Sequence, residues 1–350
     1  MRKYLILLLL IPLLFSCKKT AETTRYTAFD DLESSGKALA LGDDRDVYVF
    51  CDSEKWKGIH DLITPAIERE IKLVYPEKYF KINLTDIKDF SQYSNYRNLL
   101  FIGDLSSEDA VSQHIRETLD QDLIGRISAS GGDLFRSSNF YSRDQLILYL
   151  VGSNPINLVT LSALQSQNLF QLLIMRYRQR LGFQAYQVPI IPADFFADYP
   201  FELKIPNNFR LYSNDKAGNF LSFLYRARSE SREIPDKYLS IYHQELPEAD
   251  FNFQWLIQSR ALIGQKYFEG DAFKAEELKE EKVSFADREA LRITGSWVNA
   301  THKIGGAFQA HAFWEAGTAY LIDSSVYYPA GDKLPSIVEL SVIGNSFRLR

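Results

Sequence analysis

Two prolines three positions apart divide this sequence into two parts. Pro189 and Pro192 lie in the segment 188–192, and two prolines this close exclude a regular helix. Before this segment, short apolar runs alternate with helical patterns, whereas after it the residues favour strands. We therefore predict a domain boundary here, between an N-terminal α/β domain over residues 46–187 and a C-terminal α+β domain over residues 193–350.

Two apolar runs in the N-terminal part, residues 46–50 and 98–103, are typical of buried strands that lead into helices. Asp52 and Asp104 follow these runs closely. If the two strands are parallel neighbours, both carboxylates lie at the same edge of the sheet and line a crevice. The alternative is that both aspartates only cap and solvate the following helices.

In the N-terminal part, helical periodicity follows the first predicted strand and each of the last two. The first helix is predicted to begin near Ser53, and Pro65 predicts a kink or a restart within it. A long helix is predicted to end at Leu181, with Gly182 as its C-cap. Favourable charge at a helix C-terminus accounts for three arginines in its last turns, Arg176, Arg178 and Arg180.

The residue pattern of the C-terminal part predicts mainly strands. Four short strands are predicted over residues 201–205, 209–212, 220–226 and 238–243. Three longer alternating stretches begin near Leu291, Phe308 and Tyr320, and a closing helix over 334–347 covers the sheet. The predicted fold class is α+β, with two α/β sandwich-like parts and helices packed on mixed to mainly antiparallel sheets.

The N-terminus has the pattern of a bacterial lipoprotein signal. Two basic residues precede an apolar run over residues 4–15, which is shorter than the roughly 20 residues of a membrane-spanning helix. Ser16 precedes Cys17, as signal cleavage requires a small residue there. We therefore expect removal of the signal peptide 1–16 and lipidation of Cys17. The residue after the cysteine is Lys18, and resemblance to the signals of known lipoproteins implies delivery to the outer membrane.

The residues that follow the cysteine are mostly polar. Residues 17–45 are rich in Thr, Asp, Ser, Gly and Lys, and the first part has no apolar periodicity. We predict a solvated tether here, and 25 flexible residues reach about 28 Å on root-mean-square average. Such a tether lets the globular body stand away from the membrane.

Composition and charge favour a globular body and exclude one class of partner. Hydrophobic residues make up 46% and aromatic residues 14% of the chain, as expected of a protein with a sizeable core. The net charge is −5, and removal of Arg2 and Lys3 changes it to −7. This sign is wrong for binding to nucleic acid, so we expect no nucleic-acid partner.

Cysteine and histidine usage provides no cofactor signature. With Cys17 lipidated, Cys51 is the only remaining thiol, so no intrachain disulfide is expected, and its apolar surroundings predict a buried, inert side chain. The five histidines are scattered without a metal-ligand motif, and no phosphate-binding glycine loop precedes a helix. We therefore expect no metal and no cofactor.

A set of short motifs occurs in a fixed order along the chain. The motifs are Val47 to Trp56 with Gly58, Pro76-Glu77 with Phe80, Arg97-Asn98-Leu99-Leu100, Gly295-Ser296-Trp297, Gly305-Gly306-Ala307-Phe308, and Val326-Tyr327-Tyr328-Pro329 with Lys333. In this order they resemble the bacterial envelope lipoprotein family of domain of unknown function 4837, over roughly residues 40–350. The resemblance implies an envelope lipoprotein with two α/β parts and assigns no catalytic residue.

Two classes of function fit these observations. The first is a membrane-anchored, non-enzymatic binding or scaffold protein whose partner is an envelope protein or a glycan. The second is an envelope hydrolase acting on glycan or peptide, whose carboxylates converge only in the fold, for instance Asp52 with Asp104 or Glu77. A hydrolase of glycans would need two carboxyl groups roughly 5 to 9.5 Å apart in a deep cleft.

Four residues of the C-terminal part define a second candidate site. We hypothesise that Gly295 and Gly306 let the backbone pass close to the rings of Trp297 and Tyr328, which creates a surface groove for a partner chain or glycan. The alternative is that Trp297 packs in the core under the closing helix. The exposed fraction of the Trp297 side chain distinguishes the two interpretations.

Overall fold

The computed structural model describes residues 24–33 and 36–350. Its α-helices are α1 (Ser53–Ile67), α2 (Phe90–Tyr93), α3 (Ala110–Thr118), α4 (Gln121–Ser130), α5 (Pro155–Ala185), α6 (Phe253–Tyr267) and α7 (Leu334–Gly344). The strands of the first half are β1 (Asp46–Cys51), β2 (Glu70–Lys72), β3 (Pro76–Lys78), β4 (Lys81–Thr85), β5 (Asn98–Asp104), β6 (Gly132–Ser138) and β7 (Leu146–Gly152). Those of the second half are β8 (Phe201–Glu202), β9 (Arg210–Asp215), β10 (Phe220–Tyr225), β11 (Asp236–Glu245), β12 (Lys279–Phe285), β13 (Arg288–Asn299), β14 (Ile304–Glu315), β15 (Thr318–Tyr327) and β16 (Arg348–Leu349).

The first sheet has five strands in the order β4-β1-β5-β7-β6. β1 pairs in parallel with both β4 and β5, β5 pairs in parallel with β7, and β6 is antiparallel to β7. Every residue of β5 and β7 is buried, as expected where helices cover both faces of a parallel sheet. The two apolar runs predicted as buried strands are thus confirmed as β1 and β5.

The second sheet has seven strands in the order β12-β13-β14-β15-β11-β10-β9, all antiparallel. The three alternating stretches of the sequence form its longest hairpins, β13 to β15. One mixed sheet and one antiparallel sheet with helices packed on them confirm the α+β fold class.

The helices form layers around the two sheets. α1, α5 and α7 lie between the sheets, and the main core cluster there includes Val49 of β1, Leu173 of α5 and Ile343 of α7. α3 and α4 cover the outer face of the first sheet, and α6 covers the outer face of the second. Because the main cluster contains residues from both halves, apolar packing does not stop at the segment 188–192, and the division into two domains remains a prediction.

The predicted solvated tether is wrong for residues 24–33 and 36–45, because these pack on the body. Ile190 donates a backbone hydrogen bond to Thr24 at 3.1 Å, and the ring of Phe29 stacks on Tyr186. Leu32 and Ala40 are only 4% and 2% exposed. A few anchoring side chains without a period are enough to hold such a segment, and periodicity does not reveal them. The signal peptide 1–16 and Cys17 lie outside the described residues.

Two details of the predicted helices need correction. α1 continues through Pro65, so the predicted restart is wrong, whereas the alternative of a kink stays a prediction. α5 continues past Gly182 to Ala185, and this glycine lies within the helix, where a Cβ atom would be 2.8 Å from the ring of Phe29. The role of Gly182 is therefore close packing rather than capping.

The explanation of the arginines at the end of α5 was also wrong for two of the three. Arg180 is 1% exposed, and its guanidinium donates to Asp144 at 2.8 Å and to Asn98 at 2.9 Å. Arg176 is 8% exposed and its Nε lies 3.5 Å from the same carboxylate of Asp144. These side chains join α5 to the first sheet.

Candidate binding crevice

The carboxyl ends of β1 and β4 and the N-terminus of α3, the helix that follows β5, border a crevice of about 310 Å³. α1, which follows β1, packs on the inner face of the sheet, whereas α3, which follows β5, packs on the outer face. The strand order therefore changes direction between β1 and β5, and ligands of open α/β sheets bind at such points. The lining residues are Cys51, Asp52, Ser53, Leu84, Thr85, Asp86, Ile87, Asp109, Ala110 and Val111.

Asp52 is the N-cap of α1 and lines the crevice. Its carboxylate accepts hydrogen bonds from the backbone N–H groups of Glu54 at 3.0 Å and Lys55 at 3.2 Å. This satisfies two of the free donors at the helix N-terminus. The two interpretations of Asp52 are therefore compatible, since the residue caps its helix and also borders the crevice.

Asp104, which was predicted to line the crevice with Asp52, is fully buried and is not among its lining residues. Its carboxylate accepts bonds from the backbone and hydroxyl groups of Ser106 and Ser107 at 2.7 to 3.0 Å, and Lys55 Nζ lies 2.5 Å away. Burial raises the pKa of Asp104, but the hydrogen bonds from Lys55 and the two serines outweigh it and hold the pKa below its usual value. The side chain is therefore an ionised acceptor.

Lys55 joins the two strand ends, a role that the sequence analysis missed. Its ammonium group also lies 2.5 Å from Asp109, the N-cap of α3, and donates to Ser112 Oγ at 2.9 Å. Burial raises the pKa of Asp109, and the bonds from Lys55 and Ser112 again lower it overall. The sequence signal that could have indicated this bridging role is the position of Lys55 in the first turn of the helix that follows Asp52. This turn lies on the side where the neighbouring strand ends.

Three carboxylates, those of Asp52, Asp86 and Asp109, border the crevice. Lys55 pairs with Asp109, and Lys88 Nζ lies 2.9 Å from Asp86. Within residues 24–33 and 36–350, no group of His, Cys, Asp or Glu side chains is arranged to hold a metal ion. Cys51 is 7% exposed, and burial raises the pKa of its thiol to about 12. The crevice can therefore accept hydrogen bonds from a cationic or hydroxyl-rich group, but it offers no thiolate nucleophile.

Glu77, the other carboxylate considered for a hydrolase, lies elsewhere. It is 3% exposed and accepts bonds from the backbone N–H groups of Lys333 at 2.9 Å and Leu334 at 2.8 Å. Burial raises the pKa of Glu77. Its position at the N-terminus of α7 fixes β3 to the second half of the chain and keeps it out of the crevice.

The second candidate site does not form a surface groove. Trp297 is 4% exposed and its indole N–H donates to the carbonyl of Ala307 at 3.2 Å. It faces Gly306, where a Cβ atom would lie 2.8 Å from the indole and 2.0 Å from the carbonyl oxygen of Val326. The glycine does let the ring approach closely, but the ring belongs to the core beneath α6 and not beneath the closing helix α7.

Gly295 and Tyr328 are not brought together with this pair in one groove. Gly295 borders a cavity of about 260 Å³ and packs near Leu278. Tyr328 packs against the main core cluster, on the face of the second sheet opposite Trp297. The two aromatic rings therefore cannot contact the same partner.

The fold and crevice define an α+β protein with a ligand-sized, carboxylate-lined crevice at the edge of its mixed sheet. Residues 192–346 match the family described as Domain of unknown function (DUF4837). The resemblance predicted from the short motifs is thus confirmed over this part of the chain, whereas the crevice lies before the matched region.

Comparisons with solved structures give weak similarities. A cyanobacterial PsbP protein (CyanoP) from Synechocystis sp. has 14% identity and a TM-score of 0.28, covering 43% of this chain and 87% of that one. LpqN of Mycobacterium tuberculosis, a protein involved in cell envelope biogenesis, has 12% identity and a TM-score of 0.25, covering 42% and 81%. A structure from Bacteroides thetaiotaomicron has 9% identity and a TM-score of 0.25, covering 43% and 45%.

These TM-scores are too low to establish a common fold, so the fold class rests on the strand order and layers described above. No curated protein sequence matches the chain.

Proposed function

We propose that this protein is a lipid-anchored protein of the cell envelope, delivered to the outer membrane, which binds an envelope protein or glycan and does not catalyse a reaction. The anchor is Cys17, the first residue after the predicted signal peptide. The observation that supports the binding role best is the charge state of the two carboxylates that contact Lys55 beside the crevice.

Hydrolysis of a glycan requires one carboxyl group that is protonated and another that is ionised. Asp104 and Asp109 are both held as carboxylates by Lys55 and by the N–H and hydroxyl groups around them. Both lowered pKa values point away from a general acid. The same features suit a rigid, acceptor-rich surface for a partner's ammonium, guanidinium or hydroxyl groups.

The packing of residues 24–33 limits how far the body stands from the membrane. Only residues 18–23 separate Cys17 from Thr24, and a fully extended chain spans at most about 25 Å over this interval. The protein is therefore held close to the lipid surface rather than on a long tether.

Metabolic labelling with a palmitate analogue tests the anchor. Wild-type protein and the Cys51→Ala variant should both carry the label and float with membranes. Cys51 has no role in anchoring, because its side chain is buried and only 7% exposed. The Cys17→Ala variant should lose the label and be released or misprocessed. Labelling that survives in the Cys17→Ala variant would exclude this anchor.

A photo-crosslinkable amino acid tests the crevice in intact cells. Position 84 borders the crevice and Leu84 is 47% exposed, whereas Leu211 on β9 is 49% exposed and provides a matched control. A partner should be captured from position 84 and not from position 211. Equal capture from both positions, or none from position 84, would contradict binding at the crevice.

A further inference from the structure

One face of α5 is exposed to solvent and free of charge. No charged residue occurs between Pro155 and Met175, although 24% of the chain is charged. The exposed side chains on this stretch include Ile156 at 78%, Leu164 at 71% and Val159 at 44%. The exposed polar residues on this stretch are Thr160, Gln167, Asn168 and Gln171. The apolar part of the face is therefore the first three turns, where Ile156, Val159 and Leu164 form an exposed group. Single exposed apolar residues need no explanation, but such a group is typical of an interaction surface.

The opposite face of the helix belongs to the core. Leu158, Leu169 and Leu173 are buried between the two sheets, and the buried Arg180 follows on the same helix. α5 is long and apolar enough to cross a membrane by length and composition alone. Because one side of it packs in the core and ends in the buried arginine network, the helix can lie against a membrane but cannot span one.

The exposed face continues into a groove of about 440 Å³ between α5 and α7. Its apolar lining includes Leu172, Met175 and Val342, and Arg178 lies among them. In the described part of the chain no carboxylate forms an ion pair with Arg178. An apolar groove that ends in such a cation is complementary to a lipid, whose acyl chains are apolar and whose phosphate is anionic.

The first residues that the structure describes pack beside this groove. Phe29 forms one of its walls, and Thr24, five residues earlier, is hydrogen-bonded to Ile190. The chain between Cys17 and Thr24 spans at most about 25 Å. A lipid on Cys17 therefore holds the membrane close to this end of α5.

We propose that the exposed face of α5 and the adjoining groove rest on the bilayer, with Ile156, Val159 and Leu164 in the interfacial layer and Arg178 at the level of lipid phosphates. This inference rests on the proposed function, because the anchor at Cys17 brings the surface to the membrane. The occupant is the surface of a bilayer that contains anionic phospholipid. Apolar side chains on a helix bury into the boundary between headgroups and acyl chains in the same way.

The test uses the lipidated full-length protein in vesicles of phosphatidylethanolamine and phosphatidylglycerol. In a Cys51→Ala background, Leu164→Cys or Leu211→Cys is labelled with an environment-sensitive fluorophore. The vesicles carry phospholipid with a nitroxide on the acyl chain. We expect blue-shifted emission and severalfold stronger quenching at position 164 than at position 211. Adding Ile156→Glu and Val159→Glu, two exposed positions, should remove most of this difference.

Flotation of the same samples separates the two hypotheses. Protein that floats but has equal quenching at positions 164 and 211 overturns the membrane-facing assignment and leaves the anchor intact. Protein that does not float overturns the anchor and this inference with it. A probe at position 164 that is shielded from a water-soluble quencher but not quenched by the nitroxide lipid assigns the face to a second copy of the protein, and this also overturns the proposal.

Discussion

The ammonium group of Lys55 contacts carboxylates from two different elements beside the crevice. Asp104 ends β5 and Asp109 caps α3, and both lie 2.5 Å from Lys55 Nζ. Burial lowers the pKa of Lys55, but the bonds to both aspartates raise it overall. The pKa shifts of all three groups therefore favour their charged forms.

The first prediction concerns the effect of acid on Asp104. Its pKa in the folded state is below the ordinary value of 3.8, so its contribution to stability is present above about pH 4 and is lost as the pH falls through the lower folded value. Asp104→Asn should therefore be less stable than wild type near neutral pH, and the difference should shrink on acidification. Denaturant unfolding at a series of pH values measures this, with Asp122→Asn on the surface of α4 as the control. A difference that stays constant with pH would show that the charge of Asp104 is not responsible.

The second prediction concerns Trp297. Because the ring is buried beneath α6, Trp297→Ala should reduce the free energy of unfolding by about 3 to 5 kcal/mol. Leu211→Ala, at a side chain that is 49% exposed, should change it by less than about 0.5 kcal/mol. Urea unfolding gives both values. An equally small loss for Trp297→Ala would mean that the indole is not part of the core and would restore the groove hypothesis.

At the scale of whole elements, α5 organises the fold because it packs against both halves of the chain. It contacts β7 and α1 on one side and α7 on the other. Its network with the first sheet centres on Arg180, which also donates to the backbone carbonyl of Arg97 at 3.2 Å. Buried guanidinium groups of this kind are stable only when their donors are satisfied.

The third prediction is that Arg180→Ala strongly destabilises the protein. The variant loses the shortest ion pair of Asp144, at 2.8 Å, and keeps only the longer contacts of that carboxylate with Arg176 and Arg97. Breaking a buried pair typically costs about 3 to 5 kcal/mol. Arg126→Ala, on the exposed surface of α4, serves as the control and should be nearly neutral. Thermal and urea unfolding of the two variants should differ clearly. Equal stability would show that the network around Asp144 reorganises without loss.

Local patterns predicted some elements and missed others for identifiable reasons. The apolar runs of β1 and β5 and the alternation in β13 to β15 are signals within a few residues, so these strands were predictable. The bond from Arg180 to Asn98 and the contact of Lys55 with Asp104 join residues far apart in the chain, and no local period encodes them. No local period encodes the burial of Trp297 either. The nearby Gly306 is compatible with a surface groove and with a packed core, and only the position of α6 distinguishes the two.

At the scale of the whole molecule, the segment 188–192 separates two sheets that share one core cluster. Its backbone is held on both sides, since Ile190 bonds Thr24 and Ile191 donates to Ile205 at 2.7 Å. Linkers between independent domains usually make fewer contacts than this. The predicted boundary therefore has a direct experimental test.

The fourth prediction is that brief subtilisin treatment cuts first in the exposed loop 226–235 rather than at 188–192. This loop joins β10 and β11 and most of its side chains are exposed, whereas the chain around Pro189 is hydrogen-bonded. The nicked halves should stay together on gel filtration, because β10 and β11 remain paired. Early cleavage at 188–192 with separation of two folded fragments would instead establish two independent domains.

The proposed anchoring depends on a lipid at Cys17, seven residues before Thr24, the first residue that the structure describes. The most direct measurement is the intact mass and N-terminal sequence of the protein purified from membranes. We predict a chain that starts at Cys17, lacks residues 1–16 and carries a diacylglyceryl group on the cysteine sulfur. A chain that keeps Met1, or that starts elsewhere with an unmodified Cys17, would contradict the anchor, and the membrane-facing role of α5 would fall with it.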